Sequence, residues 1–245
     1  MKNKFLLLIV FILSFSGLYA QYYQVEYAFE LLPVPGLKVT EEEKAKMQQV
    51  KGIVDDLGAY LSQHRYILTF TPDESYYHVD AMEMPDDVDN PPIYRISMHG
   101  AIRYGDFYQN ARTRQVLNST EMSGTLYLLT DSLQNNWQIT GETKKIAGYN
   151  CIKAIEKCDK CKYPVEAWFT PQIPVPFGPA GFGGLPGLIL EVKKYRQLLS
   201  AKKIKQLKNK PEIIKPQKGE RMTTNEYKEM LWRRRMEMRR RHKAK

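Results

Sequence analysis

The chain has 245 residues and a formal net charge of +10 at neutral pH. The charge is uneven, because residues 201–245 hold 17 basic and 5 acidic residues, whereas residues 21–200 hold 18 basic and 22 acidic ones. The overall charge therefore does not describe a basic globular surface, and it gives no ground for predicting nucleic-acid binding. Residues 21–200 are enough for one domain with a real core, so a single domain is expected.

Residues 1–20 have the layout of a secretory signal peptide. Lys2 and Lys4 precede an apolar run over residues 5–13, and small or polar residues follow as far as Ala20. We expect cleavage before Gln21 and export of the mature chain to the periplasm, the outer-membrane surface or the medium. No later stretch reaches the ~18 to 20 apolar residues that are needed to cross a bilayer.

Two elements are predicted at the start of the mature chain. A half-buried strand is indicated by apolar residues that alternate with mostly polar ones: Tyr23, Val25, Tyr27, Phe29 and Leu31. A capping box at residues 40–43, followed by apolar residues three or four positions apart, predicts a long amphipathic helix over residues 40–63. We expect this helix to lie across a sheet.

The sequence pattern of the rest of the domain predicts an antiparallel meander. Short β-rich runs follow one another and are separated by turn-forming residues. They cover residues 66–71, 75–80, 93–98, 124–130, 137–145, 149–156, 163–170 and 188–192.

Three cysteines, Cys151, Cys158 and Cys161, allow at most one internal disulfide in an oxidising compartment. Pairing of Cys158 with Cys161 would close a hairpin loop between two strands. A redox-active C-x-x-C normally opens a helix, and this pair instead lies between strand-like runs. A metal or redox role, and pairing through Cys151 or with another chain, stay open as alternatives.

The segment of residues 171–187 holds five prolines and five glycines and leads into an apolar strand. This composition predicts one specific irregular backbone path. We interpret the segment as a rigid crossing that lets Phe177, Phe182 and Leu185 cover the core. In the alternative interpretation, these three residues and Trp168 line a groove for a ligand or partner.

A six-residue motif closes this segment: Gly184, Leu185, Pro186, Gly187, Leu188 and Ile189. With the upstream runs at residues 145–154 and 167–171, the chain resembles the GLPGLI family, small exported proteins of Bacteroidota named after that motif. The resemblance is carried by residues 137–192 and implies no assigned reaction. Some members are similar to the bowl-like N-terminal domain beside the catalytic domains of bacterial peptide:N-glycosidases, which implies an accessory role. The pair Cys158 and Cys161 and the arginine-rich end depart from the family pattern.

The C-terminal end predicts a basic helix. Thr223 and Glu226 form a capping box, and Tyr227, Met230 or Leu231, and Met238 give a broken apolar stripe. The helix is either simply solvated or a contact for anionic lipid headgroups or lipopolysaccharide. The candidate contact residues are Arg233, Arg234, Arg235, Arg239, Arg240 and Arg241.

These observations predict an α+β protein that is mainly β: a curved antiparallel sheet, one long amphipathic helix packed on it, and a basic helical tail. The expected division is a signal peptide at 1–20, one domain at 21–200 and an extension at 201–245. No catalytic residue, metal or cofactor is assigned. The favoured function is an exported non-enzymatic binding or assembly protein, whose partner is a protein, peptide or glycan of the cell envelope. The alternatives are a glycan- or peptide-processing hydrolase that uses carboxylates on the concave sheet face, and a cysteine-based metal or redox protein.

Overall fold

The structure is a computed structural model that describes residues 22–32, 58–80, 105–134, 136–159, 161 and 163–243, with the backbone alone at residues 239 and 241–243. Twelve strands and one long helix make up most of this part of the chain. They are β1 Tyr22–Leu31, β2 Arg65–Phe70, β3 Glu74–Asp80, β4 Asp106–Asn110, β5 Gln115–Met122, β6 Thr125–Ser132, β7 Trp137–Ile146, β8 Tyr149–Glu156, β9 Glu166–Thr170, β10 Leu188–Lys194, β11 Gln197–Leu207, β12 Glu220–Thr223 and α1 Thr224–Lys243.

All twelve strands belong to one sheet, in the order β12-β6-β5-β4-β3-β2-β1-β11-β10-β9-β8-β7. Every neighbouring pair is antiparallel except β12 and β6, which are parallel. The predicted antiparallel sheet is therefore confirmed. β1 lies in the middle of the sheet, where it pairs with β2 on one side and with β11 on the other.

The sheet is strongly curled, as its connections require. β6 is the second strand in the order and β7 is the twelfth, so in a flat sheet they would lie about 48 Å apart. Only four residues, 133–136, separate the end of β6 from the start of β7. Because five chain steps span at most about 18 Å, the two ends of the sheet must approach each other.

The core lies on the inner face of the curl. Tyr23, Val25, Tyr27 and Phe29 of β1 are buried, and the residues between them are more exposed, as the alternating pattern predicts. Side chains from β2, β3, β4, β5, β8, β9, β10 and β11 join the same cluster, together with the apolar residues of the 171–187 segment.

The predicted α+β class is wrong. Within the described residues α1 is the only helix of seven or more residues; its first turns contact the sheet, and no long helix lies across the sheet as predicted. Residues 58–63 form a short helical stretch, and the remainder of the helix predicted over 40–63 falls outside the described residues. The physical reason for the correction is that the inner face of the sheet is filled by the 171–187 segment, which takes the place assigned to a helix.

The remaining predicted segments lie partly outside the described residues. The predicted signal peptide at residues 1–20 and the run at 93–98 lie outside the described residues. β11 continues across the boundary placed at residue 200, and β12 and α1 bring the C-terminal extension back to the sheet. α1, the long helix of the described part, is too polar to cross a bilayer.

Candidate functional site

The proline- and glycine-rich segment, residues 171–187, is buried inside the curl. Phe177, Phe182 and Leu185 are almost completely inaccessible to solvent. The segment is held in its own irregular fold by backbone hydrogen bonds from Gly184 to Pro176 and from Ile189 to Phe177, each 2.9 Å long. Its path is therefore fixed and apolar.

Both halves of the sheet hold this segment. The side-chain amide of Gln109 in β4 donates to the carbonyl oxygen of Phe182 at 2.9 Å, and the indole N–H of Trp137 in β7 donates to the carbonyl oxygen of Gly183 at 2.9 Å. β4 and β7 are eight places apart in the sheet, or about 38 Å if it were flat. Since they bind adjacent residues, the segment lies on the concave side and joins the two halves.

The four residues of the predicted groove are not brought together on one open surface. Phe177, Phe182 and Leu185 are in the core, whereas Trp168 is partly exposed and follows the buried Ala167 in β9. Neighbouring residues of a strand point to opposite faces, so Trp168 points away from Ala167 and Phe169, while part of its ring still packs against the core cluster.

Trp168 belongs to a row of polar side chains across four adjacent strands. The strand register places Lys153, Trp168, Glu191 and Ser200 directly beside one another. The Lys144 ammonium lies 4.3 Å from the centre of the Trp168 ring and donates to Glu191 at 2.7 Å, while the Ser200 hydroxyl donates to Glu191 at 3.1 Å. Both oxygens of Glu191 are therefore engaged.

Glu142 and Glu166, two carboxylates near this row, are also in ion pairs. Lys153 contacts Glu142 at 3.0 Å and Glu166 at 3.6 Å, and Lys193 contacts Glu166 at 3.0 Å. The hydrogen bond with Glu142 raises the pKa of Lys153. The arrangement cross-links strands on the face opposite the core, whereas the hydrolase alternative placed its carboxylates on the concave face, which the apolar 171–187 segment covers.

An open polar cleft lies where the two ends of the sheet approach each other, and we call it the seam cleft. Its volume is about 680 Å³. It is lined from the loop after β4, the β6–β7 connection, the end of β8 and the first turns of α1. The residues are Thr113, Arg114, Asp131, Ser132, Leu133, Gln134, Asn136, Glu156, Asn225 and Lys228.

Hydrogen bonds fix the inner wall of the seam cleft. Arg114 donates to the carbonyl oxygen of Leu133 at 2.9 Å, and the Gln134 amide donates to Glu156 at 3.3 Å. The buried Gln134 Oε1 has no hydrogen-bond partner among the described residues. At the rim, Asn225 and Lys228 of α1 are exposed to solvent. The cleft thus combines a fixed wall with free donors, which suits a ligand rich in hydroxyl or amide groups.

The cysteines occupy two separate places. Cys158 and Cys161 form a disulfide in the β8–β9 hairpin, with their Cα atoms 5.4 Å apart. Cys151 lies within β8 and is completely buried, and burial raises its pKa to about 11. In the described part of the chain, no group of three or more histidine, cysteine, aspartate or glutamate side chains is placed to hold a metal ion.

α1 begins with the predicted capping box. The Glu226 carboxylate accepts hydrogen bonds from the Thr223 backbone N–H at 2.7 Å and hydroxyl at 2.8 Å, and these bonds lower the pKa of Glu226. Tyr227 is buried against Tyr127, and Met230 and Leu231 pack on the same small cluster. The first turns of the helix are therefore anchored to the sheet.

The candidate arginines lie further along α1. Arg233, Arg234, Arg235 and Arg240 are exposed, and the side chains of Arg239 and Arg241 are outside the described part. Sequence analysis missed Trp232, which is 60% exposed. It is five residues after Tyr227 and so about 140° away around the helix, on the side facing away from the sheet.

Two comparisons with known proteins bear on this architecture. Residues 108–229 match the model of a family described as the N-terminal domain of a peptide N-glycanase. The chain is similar to that domain. The predicted similarity to a peptide:N-glycosidase N-terminal domain is thereby confirmed, and membership of the GLPGLI family stays a prediction. A search of curated proteins found no match.

Two solved structures of PNGF-II, one in space group C2 and one in P21, have the same fold. Each has a TM-score of 0.53 and 18% sequence identity, and the alignments cover 87% of this chain. They cover only 33% and 34% of the PNGF-II chains, so this chain spans about a third of their length.

The family match encloses the whole seam cleft, since its lining residues run from Thr113 to Lys228. Sequence analysis missed all of these residues as site candidates. They come from segments far apart in the chain and form no motif, and only the curl of the sheet brings them together.

Proposed function

We propose that this protein is an exported, non-enzymatic binding protein of the periplasm or cell envelope, and that its ligand is a glycan. The observation that carries the proposal is the seam cleft, which is polar, open and bounded by a rigid wall. Its guanidinium, ammonium, amide and carboxylate groups offer both donors and acceptors. A carbohydrate presents hydroxyl groups that need both.

The comparisons support a glycan as the ligand. The matching family is described as part of an N-glycanase, and the match includes every residue of the seam cleft. The region of similarity is the N-terminal domain, so we assign the present chain a binding role. Export rests on the signal-like residues 1–20, and GLPGLI membership among Bacteroidota is part of the same proposal.

The carboxylates of the cleft favour binding over hydrolysis. Glu156 accepts hydrogen bonds from Gln134 at 3.3 Å and from the backbone N–H of Val165 at 3.4 Å. Asp131 accepts one from the backbone N–H of Ser132 at 2.8 Å. Both acids thus stabilise the fold around the cleft, which is a poor setting for a general acid that must exchange protons with a substrate.

Titration calorimetry with an N-glycosylated peptide that carries a high-mannose chain tests the proposal, with the same peptide lacking the glycan as control. We expect binding of the glycopeptide alone. The double variant Asn225→Ala with Lys228→Ala removes two rim donors and should weaken binding about 10- to 100-fold, since each hydrogen bond contributes roughly 0.5–1.5 kcal/mol.

The pair Lys208→Ala with Asn209→Ala is a matched control, because it removes the same two residue types at an exposed position outside the cleft. It should bind like the parent protein. Equal affinity of the parent for both peptides would reject the glycan, and turnover of the glycopeptide would favour the hydrolase alternative.

We propose in addition that α1 contacts an anionic lipid surface. Support comes from Trp232, an exposed aromatic side chain followed directly by Arg233, Arg234 and Arg235. Tryptophan beside cationic side chains is typical of helices that lie at a lipid headgroup interface.

A further inference from the structure

Two tyrosines form an exposed aromatic pair at one end of the sheet. The rings of Tyr163 and Tyr195 have centroids 4.6 Å apart and are tilted by 39°. The two residues are 41% and 42% exposed, among the most exposed large apolar residues of the described chain. Tyr163 lies in the β8–β9 hairpin and Tyr195 in the β10–β11 hairpin, so the tips of two neighbouring hairpins present them together.

The backbone at Tyr195 adopts a strained conformation in the β10–β11 turn. Tyr195 and Arg196 form the two-residue turn between β10 and β11, and Tyr195 has a φ of 56°. A bulky residue rarely adopts this left-handed conformation, which costs about 1 kcal/mol. The other two-residue turns place a small residue before glycine, at Ser123–Gly124 and Ala147–Gly148. Tyr195 therefore costs the turn more backbone strain than a small residue or glycine would. Strain of this kind points to a functional side chain.

Both hairpin tips are held in place. The disulfide between Cys158 and Cys161 constrains the loop that precedes Tyr163. The Arg196 guanidinium donates to the carbonyl oxygen of Leu32 at 2.7 Å, and the Leu32 N–H donates to the Arg196 carbonyl oxygen at 2.6 Å. The aromatic pair is thus pre-organised, which reduces the entropy lost when a ligand binds.

The pair lies at the same end of the sheet as the seam cleft. Glu156 lines the cleft and pairs through its backbone N–H with the carbonyl oxygen of Val165 at 2.8 Å. Tyr163 is two residues from Val165, or about 7 Å along an extended chain. A ligand in the seam cleft that is longer than one sugar residue can therefore extend over this hairpin.

We propose that Tyr163 and Tyr195 form a stacking subsite for a sugar ring of the glycan that occupies the seam cleft. The inference rests on the proposed function and deepens it, because it requires an oligosaccharide ligand. The apolar C–H face of a sugar ring packs on the aromatic rings.

The test compares two N-glycosylated peptides, one with a high-mannose chain and one with a single N-acetylglucosamine. The variant Tyr195→Gly removes the ring and also relieves the left-handed strain, so its melting temperature should stay within a few degrees of the parent's. We expect it to bind the long glycan at least 10-fold more weakly and the single sugar equally well. Tyr195→Phe keeps the ring and should bind both like the parent, and Tyr163→Ser should behave like Tyr195→Gly.

The outcomes separate this inference from the function on which it rests. If the parent binds the long glycan and Tyr195→Gly binds it equally well, the stacking subsite is wrong and the binding function stands. If Tyr195→Gly lowers the melting temperature strongly, the two rings serve to hold the hairpins together and the inference is overturned. If the parent binds neither glycopeptide, both proposals fail.

Discussion

The side-chain amide of Gln109 and the backbone carbonyl oxygen of Phe182 form a hydrogen bond of 2.9 Å in the interior of the curl. Gln109 is only 1% exposed, and its Oε1 accepts from the Ser75 hydroxyl at 3.1 Å and faces the Gly178 N–H at 3.5 Å. One buried side chain thus ties the proline- and glycine-rich segment to β3 and β4.

Replacement of Gln109 by leucine should destabilise the protein by about 2–4 kcal/mol. The new side chain has a similar volume but leaves the Phe182 oxygen, the Ser75 hydroxyl and the Gly178 N–H without this partner, and an unpaired buried group costs ~1–3 kcal/mol. Urea denaturation measures the change. Gln138→Leu is the matched control in β7, where the side chain is exposed, and should shift stability by less than ~0.5 kcal/mol. A similar small shift for Gln109→Leu would show that this hydrogen-bond network is dispensable.

Gly184 and Gly148 have the same φ of +87°, so alanine at either position causes the same backbone strain. A difference between the two variants therefore measures the steric clash alone. A Cβ atom on Gly184 would lie 1.8 Å from the carbonyl oxygen of Gln134, whereas one on Gly148 would meet no described atom within 4 Å. Gly148→Ala should therefore cost only the conformational strain, about 1–2 kcal/mol. Gly184→Ala adds the clash and should cost at least ~3 kcal/mol or prevent folding. Equal melting temperatures for the two variants would contradict the close packing of the segment against the β6–β7 connection.

The sequence was most informative where one local rule decides the structure. Strict alternation in residues 22–31 predicts β1, and the capping pair Thr223 and Glu226 predicts the start of α1. The sequence also indicates that the segment of residues 171–187 covers the core, because it is too apolar for a linker and too irregular for a regular strand. Its three large apolar residues are indeed buried: Phe177, Phe182 and Leu185.

Sequence patterns failed where the fold depends on distant partners. β4 and β5 were missed because polar residues such as Asn110 and Asn118 interrupt their apolar pattern, although strand pairing places them well inside the sheet. β11 was not predicted as a strand, and the domain boundary at residue 200 falls inside it, because lysines dominate its second half, which pairs with β1 all the same. The seam cleft could not be predicted, because its residues come together only through the curl of the whole sheet and no local sequence pattern marks them.

Thiol counting should follow the placement of the cysteines. The native protein should show no reactive thiol, because Cys151 is buried and Cys158 and Cys161 are joined. After denaturation without reductant one thiol per chain should react, and with reductant three. Loss of the disulfide should cost about 2 kcal/mol or less, since the loop it closes is very short. Three reactive thiols without reductant in the denatured protein would contradict the disulfide.

Cys151 should make the protein less stable at high pH. Burial raises the pKa of its thiol to about 11, from ~8.5 in an unfolded chain. The folded state therefore favours the protonated thiol, and stability falls by up to ~1.4 kcal/mol per pH unit as the pH rises between these two values. Urea denaturation at pH 8, 9.5 and 10.5 should show that the stability advantage of the parent over Cys151→Ala shrinks with pH. Tyrosine titration is common to both proteins, so a constant difference would rule out this contribution.

Binding of α1 to lipid should depend on Trp232 and on the neighbouring arginines. A basic side chain near an anionic lipid surface contributes about 1 kcal/mol. Replacement of Arg233 and Arg235 by glutamine should therefore weaken binding to vesicles that contain phosphatidylglycerol by about 10- to 30-fold. The matched control replaces Lys202 and Lys203, two exposed lysines of β11, by glutamine and removes the same charge.

Tryptophan fluorescence gives a second readout, because Trp232 is the one exposed tryptophan and Trp137 and Trp168 are partly buried in the sheet. Insertion into the headgroup region should shift the emission to shorter wavelength, and Trp232→Phe should abolish this shift while the folded domain is retained. If the arginine and lysine variants lose binding equally, the contact is a response to overall charge. If vesicles leave the emission of Trp232 unchanged, α1 does not lie at the lipid interface.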